Sequence, residues 1–236
     1  EMTLLILFDI DGTLLRAGDP AHARAMREAL HELLGEPVSL DGIPLAGMLD
    51  SQIARLALLR HGLSEEAIAQ LLPQVMQRMG TRYRELVPPG ARCDWVLPGV
   101  RSLLDRLQQR GHLTGVLTGN AALVARWKLA AAELDRALPF GAYGDDAQER
   151  HELVTRAIED ARTRFAVSPS HEQTILVGDT PRDIAAARES GTKVLAVATG
   201  RFGVEELRAE HPDAVVPDLA DVERVTALLE SLGRCA

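Results

Sequence analysis

Five consecutive apolar residues, Leu4-Leu5-Ile6-Leu7-Phe8, stop abruptly at Asp9. A run that is apolar at every position, not every second one, fits a strand buried on both faces, as in a parallel sheet. Similar short runs recur at 113–118, 174–178 and 193–198, with weaker ones at 142–144 and 214–217. Helical periodicity lies between them, at 100–110, 121–134, 152–165, 181–190 and 222–232. Strands alternating with helices predict an α/β fold with a doubly wound parallel sheet.

The alternation fails between 16 and 95. Helical patterns there fill 20–34, closed by Gly35, and 50–60, closed by Gly62. Two more follow at 64–75 and 77–86, ended by Pro88-Pro89-Gly90. Ser64, Glu65 and Glu66 suit the start of the third. The pattern predicts a core domain of 1–15 and 96–236 and an inserted helical cap of 16–95. The hinges fall near Leu15 and 94–98. The insert is expected to have its own small apolar core, to meet the main domain only across a crevice, and to move as a body.

A chain of 236 residues buries enough surface to fold without a disulfide or a metal. No apolar run approaches the ~20 residues of a membrane span. The first apolar stretch is too short for a signal peptide and has no basic residue before it. The formal net charge of −8 speaks against nucleic acid as a partner. Cys93 and Cys235 form no pair motif and are expected to be free thiols in a reducing, cytoplasmic setting. Only two of the 26 basic residues are lysines, Lys128 and Lys193.

In doubly wound sheets, ligands bind outside the carboxyl ends of the strands. Asp9-Ile10-Asp11-Gly12-Thr13 follows the first strand, and Thr118-Gly119-Asn120 follows the second. Gly178-Asp179-Thr180-Pro181-Arg182-Asp183 follows the run at 174–178. Residues i and i+2 of an extended segment point the same way, about 7 Å apart, so Asp9 and Asp11 would share a face. Thr180 can cap the next helix with Pro181 at its first position, leaving Asp179 at the strand tip and Asp183 in the first turn. Each segment alone could be a simple turn or loop. Three strand ends presenting polar groups to one crevice point to a site. Carboxylates packed this closely cannot all ionise without a counter-ion. With no His or Cys cluster beside them, the expected ion is a hard cation held through oxygens, with Mg²⁺ as the natural candidate.

These motifs resemble the haloacid dehalogenase superfamily. Asp9-Ile10-Asp11-Gly12-Thr13-Leu14 stands as its phosphatases write the first motif, Thr118 matches the second, and Gly178-Asp179 with Asp183 matches the fourth. Pro98-Gly99-Val100 at the return to the core is also typical. The resemblance implies a Rossmann-like core with a cap placed after the first motif, nearest the phosphoglycolate-phosphatase-like branch. It implies Asp9 as nucleophile and Asp11 as general acid and base. It also implies Mg²⁺ on the Asp9 carboxylate, the Asp11 carbonyl and Asp179, with Asp183 helping to hold the ion or its waters. Thr118 and the backbone around Gly119 and Asn120 would bind phosphoryl oxygens, helped by the helix that starts after Asn120.

The third motif of that family is a lysine, and its usual place holds none. Lys128 lies eight residues past Asn120, about 12 Å along a straight helix, and a later helix start would bring it in. Arg150 is the substitute cation. Lys193 opens a strand at the other end of the sheet and is read as structural. The turn 45–50 between cap helices is expected to dip into the site, with Met48 against the substrate. That turn is largely apolar and carries no positive charge, so it does not advertise a second phosphate.

The expected activity is Mg²⁺-dependent hydrolysis of a small phosphate ester through an aspartyl-phosphate. A dehalogenase like the family's namesake would lack the acid at Asp11. A phosphonatase would need a cap lysine, and 16–95 has none. A sugar-phosphate mutase and a non-catalytic binding protein stand as alternatives.

Overall fold

The computed structural model describes residues 3–234; Cys235 and its expected free thiol lie outside them. Six strands form one all-parallel sheet: β1 (Leu5–Phe8), β2 (Leu113–Leu117), β3 (Gly141–Ala142), β4 (Thr174–Gly178), β5 (Lys193–Val197) and β6 (Ala214–Val216). Their order is β3-β2-β1-β4-β5-β6. Leu5 and Leu7 pack on one side, Ile6 and Phe8 on the other, and all four are buried. That is why the first strand reads as a continuous apolar run.

The core helices are α4 (Val100–Gln109), α5 (Ala122–Ala131), α6 (Glu152–Phe165), α7 (Pro181–Ser190), α8 (Val204–Ala209) and α9 (Val222–Arg234). The cap is built from α1 (Pro20–Leu34), α2 (Asp50–Arg60) and α3 (Glu65–Leu86). The two hinges run side by side: Leu15 bridges Val96, the Arg16 N–H donates to the Trp95 carbonyl, and Leu97 returns to Leu14. Cys93 is a free, half-buried thiol in the short 3-10 turn before this return.

Four expectations are corrected. First, the two helices expected at 64–75 and 77–86 are one. Pro73 is exposed within it, so the carbonyl it leaves unpaired faces water. The buried stripe of Ile68, Val75, Met76, Met79 and Tyr83 continues past it. Second, α8 was not anticipated; six residues give too little periodicity to read. Third, the weak strand of 142–144 sits at 141–142, because its ladder ends where Leu117 pairs with Ala142. Fourth, the cap does not meet the core only across a crevice. Its apolar cluster runs on into Ala121, Val124, Trp127 and Ala131 of the α5 segment. The bare Gly80 backbone lets α3 approach so closely that a Cβ there would lie 2.3 Å from Leu123 Cβ. The Trp127 indole N–H also donates to the Val87 carbonyl.

Candidate active site

The strand order reverses between β1 and β4, with β2 on the other flank of β1. Phe8 is level with Val177 of β4 and Val116 of β2. Asp9 therefore emerges at the reversal, beside the tips that carry Asp179 and Thr118, where this architecture opens a crevice.

Asp9 is buried, and its own backbone is held by the Val177 carbonyl. Its Oδ1 accepts from the Ile10 N–H at 2.8 Å. Arg150 Nη2 lies 3.0 Å from Oδ2, and the Thr118 hydroxyl donates to the carboxylate. Burial pushes the Asp9 carboxyl up to about 6, against the pull of Arg150 and with a further push from Asp183 and Asp11.

Asp179 is pushed up to about 8 by burial and by the charges of Asp183 and Asp9. Its Oδ1 accepts from the Thr13 hydroxyl. The rest of its surroundings is bare backbone: a Cβ on Gly200 would come within 1.7 Å of Oδ2, and one on Gly12 within 2.2 Å. Asp183 gives Oδ1 to Arg150 at 2.6 Å, and Oδ2 to the Thr180 N–H and hydroxyl. Carboxylate oxygens of Asp9, Asp179 and Asp183 all lie within 4.8 Å of one another. Three buried acids this close, all offering oxygen, fit a hard divalent cation.

Asp11 faces away from that cluster. Lys128 Nζ donates to its two oxygens at 2.7 and 2.6 Å, and Asn120 Nδ2 to one of them at 2.9 Å. Burial alone would raise the Asp11 carboxyl, but Lys128, His22 and Asn120 outweigh it and hold it below its ordinary value. Lys128 reaches this far because α5 begins at Ala122, later than Asn120, and because the ammonium meets Asp11 instead of Asp9. The cation on Asp9 is Arg150.

Lys128 Nζ also donates to His22 Nδ1 at 2.9 Å. An ammonium has only donors, so His22 Nδ1 accepts and Nε2 carries the proton, which faces both Asp50 oxygens at 3.0 Å. Asp50 Oδ2 in turn accepts the Ala121 N–H at 2.7 Å, and Asp145 Oδ1 accepts that of Ala122 at 2.8 Å. These contacts correct one expectation: the amides opening α5 are capped by Asp50 and Asp145 and are not free for a phosphoryl group. The chain Asp11–Lys128–His22–Asp50–Ala121 also joins the cap to the core.

The turn 45–50 does reach the site. The Gly47 carbonyl accepts from Arg150 Nη1, and a Cβ on Gly119 would lie 2.1 Å from the Met48 carbonyl. Met48, Gly119 and Asn120 line one chamber of about 570 Å³ with Asp9, Asp11, Arg150 and Asp179. Thr118 is fully buried beneath it. Arg150 Nε and Asn120 Oδ1 are buried and have no partner among the described residues.

Residues 3–191 match the family of haloacid dehalogenase-like hydrolases. The chain belongs to this family. It is therefore a hydrolase and not a non-catalytic relative of the fold. It is 25% identical over 215 residues to the phosphoglycolate phosphatase of Aliivibrio fischeri, covering 89% of this chain and 91% of that one. It is 26% identical to the 5'-nucleotidase of Pseudomonas aeruginosa, covering 93% and 94% of the two chains. Among solved structures it resembles the β-phosphoglucomutase of Clostridium difficile, with a TM-score of 0.69 at 17% identity and 98% coverage of each. No helix among the described residues is long and apolar enough to cross a membrane.

Seven of the ten site residues named from the sequence line the chamber; Thr118, Lys128 and Asp183 lie buried behind its wall, against Asn120, Asp11 and Arg150. His22, Asp50 and Thr13 were missed. Asp50 ends the very turn that was singled out, so its carboxylate was within reach of a sequence reading. His22 carries no local signal; only the packing of α1 on α3, and of α3 on α5, brings it to Lys128.

Proposed function

We propose that this hydrolase cleaves phosphate monoesters of small molecules, with Asp9 as nucleophile and Asp11 as general acid and base. The observation that carries the reading is the contrast between these two carboxylates. Asp9 sits at the buried floor among Arg150, Thr118, Asp179 and Asp183, whereas Asp11 sits at the chamber wall with Lys128 and Asn120. Asp9, at the strand tip beside Asp179 and Asp183, would attack, and Asp11, held at the chamber wall by Lys128 and Asn120, would exchange a proton with the leaving oxygen. Arg150 stands beside the nucleophile as the third-motif cation does, orienting Asp9 and leaving positive charge for a phosphoryl oxygen. The Thr118 hydroxyl holds Asp9 from the other side. Lys128 fixes the Asp11 carboxylate so that it faces the leaving oxygen and then the hydrolytic water.

The acid cluster fits Mg²⁺: Asp9, the Asp11 carbonyl and Asp179 would hold it, with Asp183 at its edge. When bound, the ion supplies charge neutralisation between the nucleophile and the phosphoryl oxygens. The direct test is phosphate release from p-nitrophenyl phosphate with Mg²⁺, abolished by EDTA and restored by Mg²⁺. Full turnover in EDTA would overturn the metal assignment.

The ion also has a thermodynamic signature. In the metal-free protein Asp9 and Asp179 are raised acids, near 6 and 8. Their contribution to stability is complete below about pH 4 and is lost as pH rises through those values. A cation that takes the place of the protons restores it. Mg²⁺ is therefore expected to raise Tm more at pH 8.5 than at pH 5.5. A hundredfold excess over Kd stabilises by about 2.7 kcal/mol, a rise of roughly 5–10 °C for a chain of this size. Scanning fluorimetry at the two pH values checks this; equal shifts would contradict it.

A further inference from the structure

The active-site chamber contains more than phosphate chemistry requires, and its upper wall has a distinct character. Its volume of about 570 Å³ is in the range of sites that enclose a drug-sized ligand, about 300–1,000 Å³. A phosphoryl group with a two-carbon leaving group would leave most of it empty. Much of the cap side of the wall is apolar, with Ala23, Met26, Leu40, Leu45, Met48 and Ile53 beside the polar Asp19, His22 and Asp50.

The charged groups of the wall are already matched. Asp19 is held by Arg92, through Nε and Nη2 at 2.9 Å each, and by the Tyr83 hydroxyl at 2.6 Å. Asp50 is held by His22 and the Ala121 N–H. His22 lies between the Lys128 ammonium and the Asp50 carboxylate. Asp11 is neutralised by Lys128, and Arg150 is engaged with Asp9 and Asp183. Of the cations lining the chamber this leaves Arg201, which is exposed on the core side, in the loop after β5. A charge standing in water is screened and holds an anion weakly.

Resting on the phosphatase reading, we infer that the leaving group is a bulky, uncharged, largely apolar alcohol of about the size of a ring, and not a carboxylate-bearing or second-phosphate-bearing one. A carboxylate or phosphate pressed against the cap wall would lose its hydration and find no cation in return, which disfavours it strongly. A ring would replace water along Met26, Leu40 and Ile53 at no such cost. The inference departs from the named activity of the Aliivibrio fischeri relative, since phosphoglycolate carries a second anionic group.

The test compares benzyl phosphate with phosphoglycolate in saturating Mg²⁺. Both release an alkyl alcohol, so intrinsic reactivity does not decide the outcome. The expected kcat/KM ratio favours benzyl phosphate by about 100-fold, equivalent to roughly 2.8 kcal/mol at 1.4 kcal/mol per tenfold. Met48→Arg, at a partly buried position of the wall, should cut the ratio at least tenfold by supplying the missing cation. Arg201→Ala should leave it within about threefold. Equal or better use of phosphoglycolate by the parent protein would overturn the inference. Equilibrium binding of benzylphosphonate and phosphonoacetate, which turn over in neither case, separates this result from failure of the phosphatase reading. Preference for benzylphosphonate in a protein that hydrolyses no ester would keep the inference about the wall and discard the phosphatase. Preference for phosphonoacetate would discard the wall, whatever the turnover.

Discussion

Asp9→Asn is expected to reduce turnover of any phosphate ester by about 10⁴–10⁶-fold, the range seen when a covalent nucleophile is removed, while leaving the fold intact. The amide has the shape of the carboxylate, so Oδ1 can still accept from the Ile10 N–H. What disappears is the attacking oxygen and one of three clustered negative charges. Because the Asp9 carboxyl is raised to about 6 by its surroundings, its ionised form is a burden on the metal-free protein at pH 7.5. The variant without metal should therefore be as stable as the parent or slightly more so, and its Mg²⁺-dependent rise in Tm should shrink. Residual activity above about 1% in clean protein would sink the covalent route, since general-base attack by water would then suffice.

The parts of this site legible in the sequence are those fixed by local chain geometry. A run apolar at every position, cut off by Asp9-Ile10-Asp11, fits a buried strand ending in two acids. The cap on α7 was legible for the same reason, because Thr180-Pro181 and Asp183 act within one turn. The helix ends at Leu34 and Arg60 coincide with the expected ones because Gly35 and Gly62 adopt positive φ just beyond them.

Long-range pairing was not legible. No spacing rule says that Lys128 meets Asp11, more than a hundred residues away, or that Arg150 meets Asp9. The axial distance of Lys128 along a helix starting at Asn120 argued against contact. The helix instead starts at Ala122, its amides capped by Asp50 and Asp145 from distant segments. The cap–core seam was misjudged for a similar reason. A glycine within a helix carries no long-range signal, and only packing reveals that Gly80 admits Leu123.

The two buried cations should separate cleanly on substitution. Arg150→Met is expected to lower kcat about 10³-fold, near 4 kcal/mol of transition-state stabilisation. Its guanidinium touches Asp9 and Asp183 and also the Gly47 carbonyl, so its loss leaves three acids facing one another and unties the cap turn. Lys128→Met should cost less, about 10- to 100-fold, because the ammonium touches Asp11 and His22 and not the nucleophile. Its signature is instead a displaced pH profile. In the parent, Lys128 helps to hold the Asp11 carboxyl below its ordinary value. Without Lys128 the carboxyl rises, so the base form is lost at a higher pH as the solution is acidified. The acid limb of kcat should therefore move up in pH in Lys128→Met. Arg150→Lys should recover part of the rate by restoring a charge without the planar fork. A Lys128→Met protein with a thousandfold loss and an unmoved profile, beside a nearly active Arg150→Met, would exchange the two assignments.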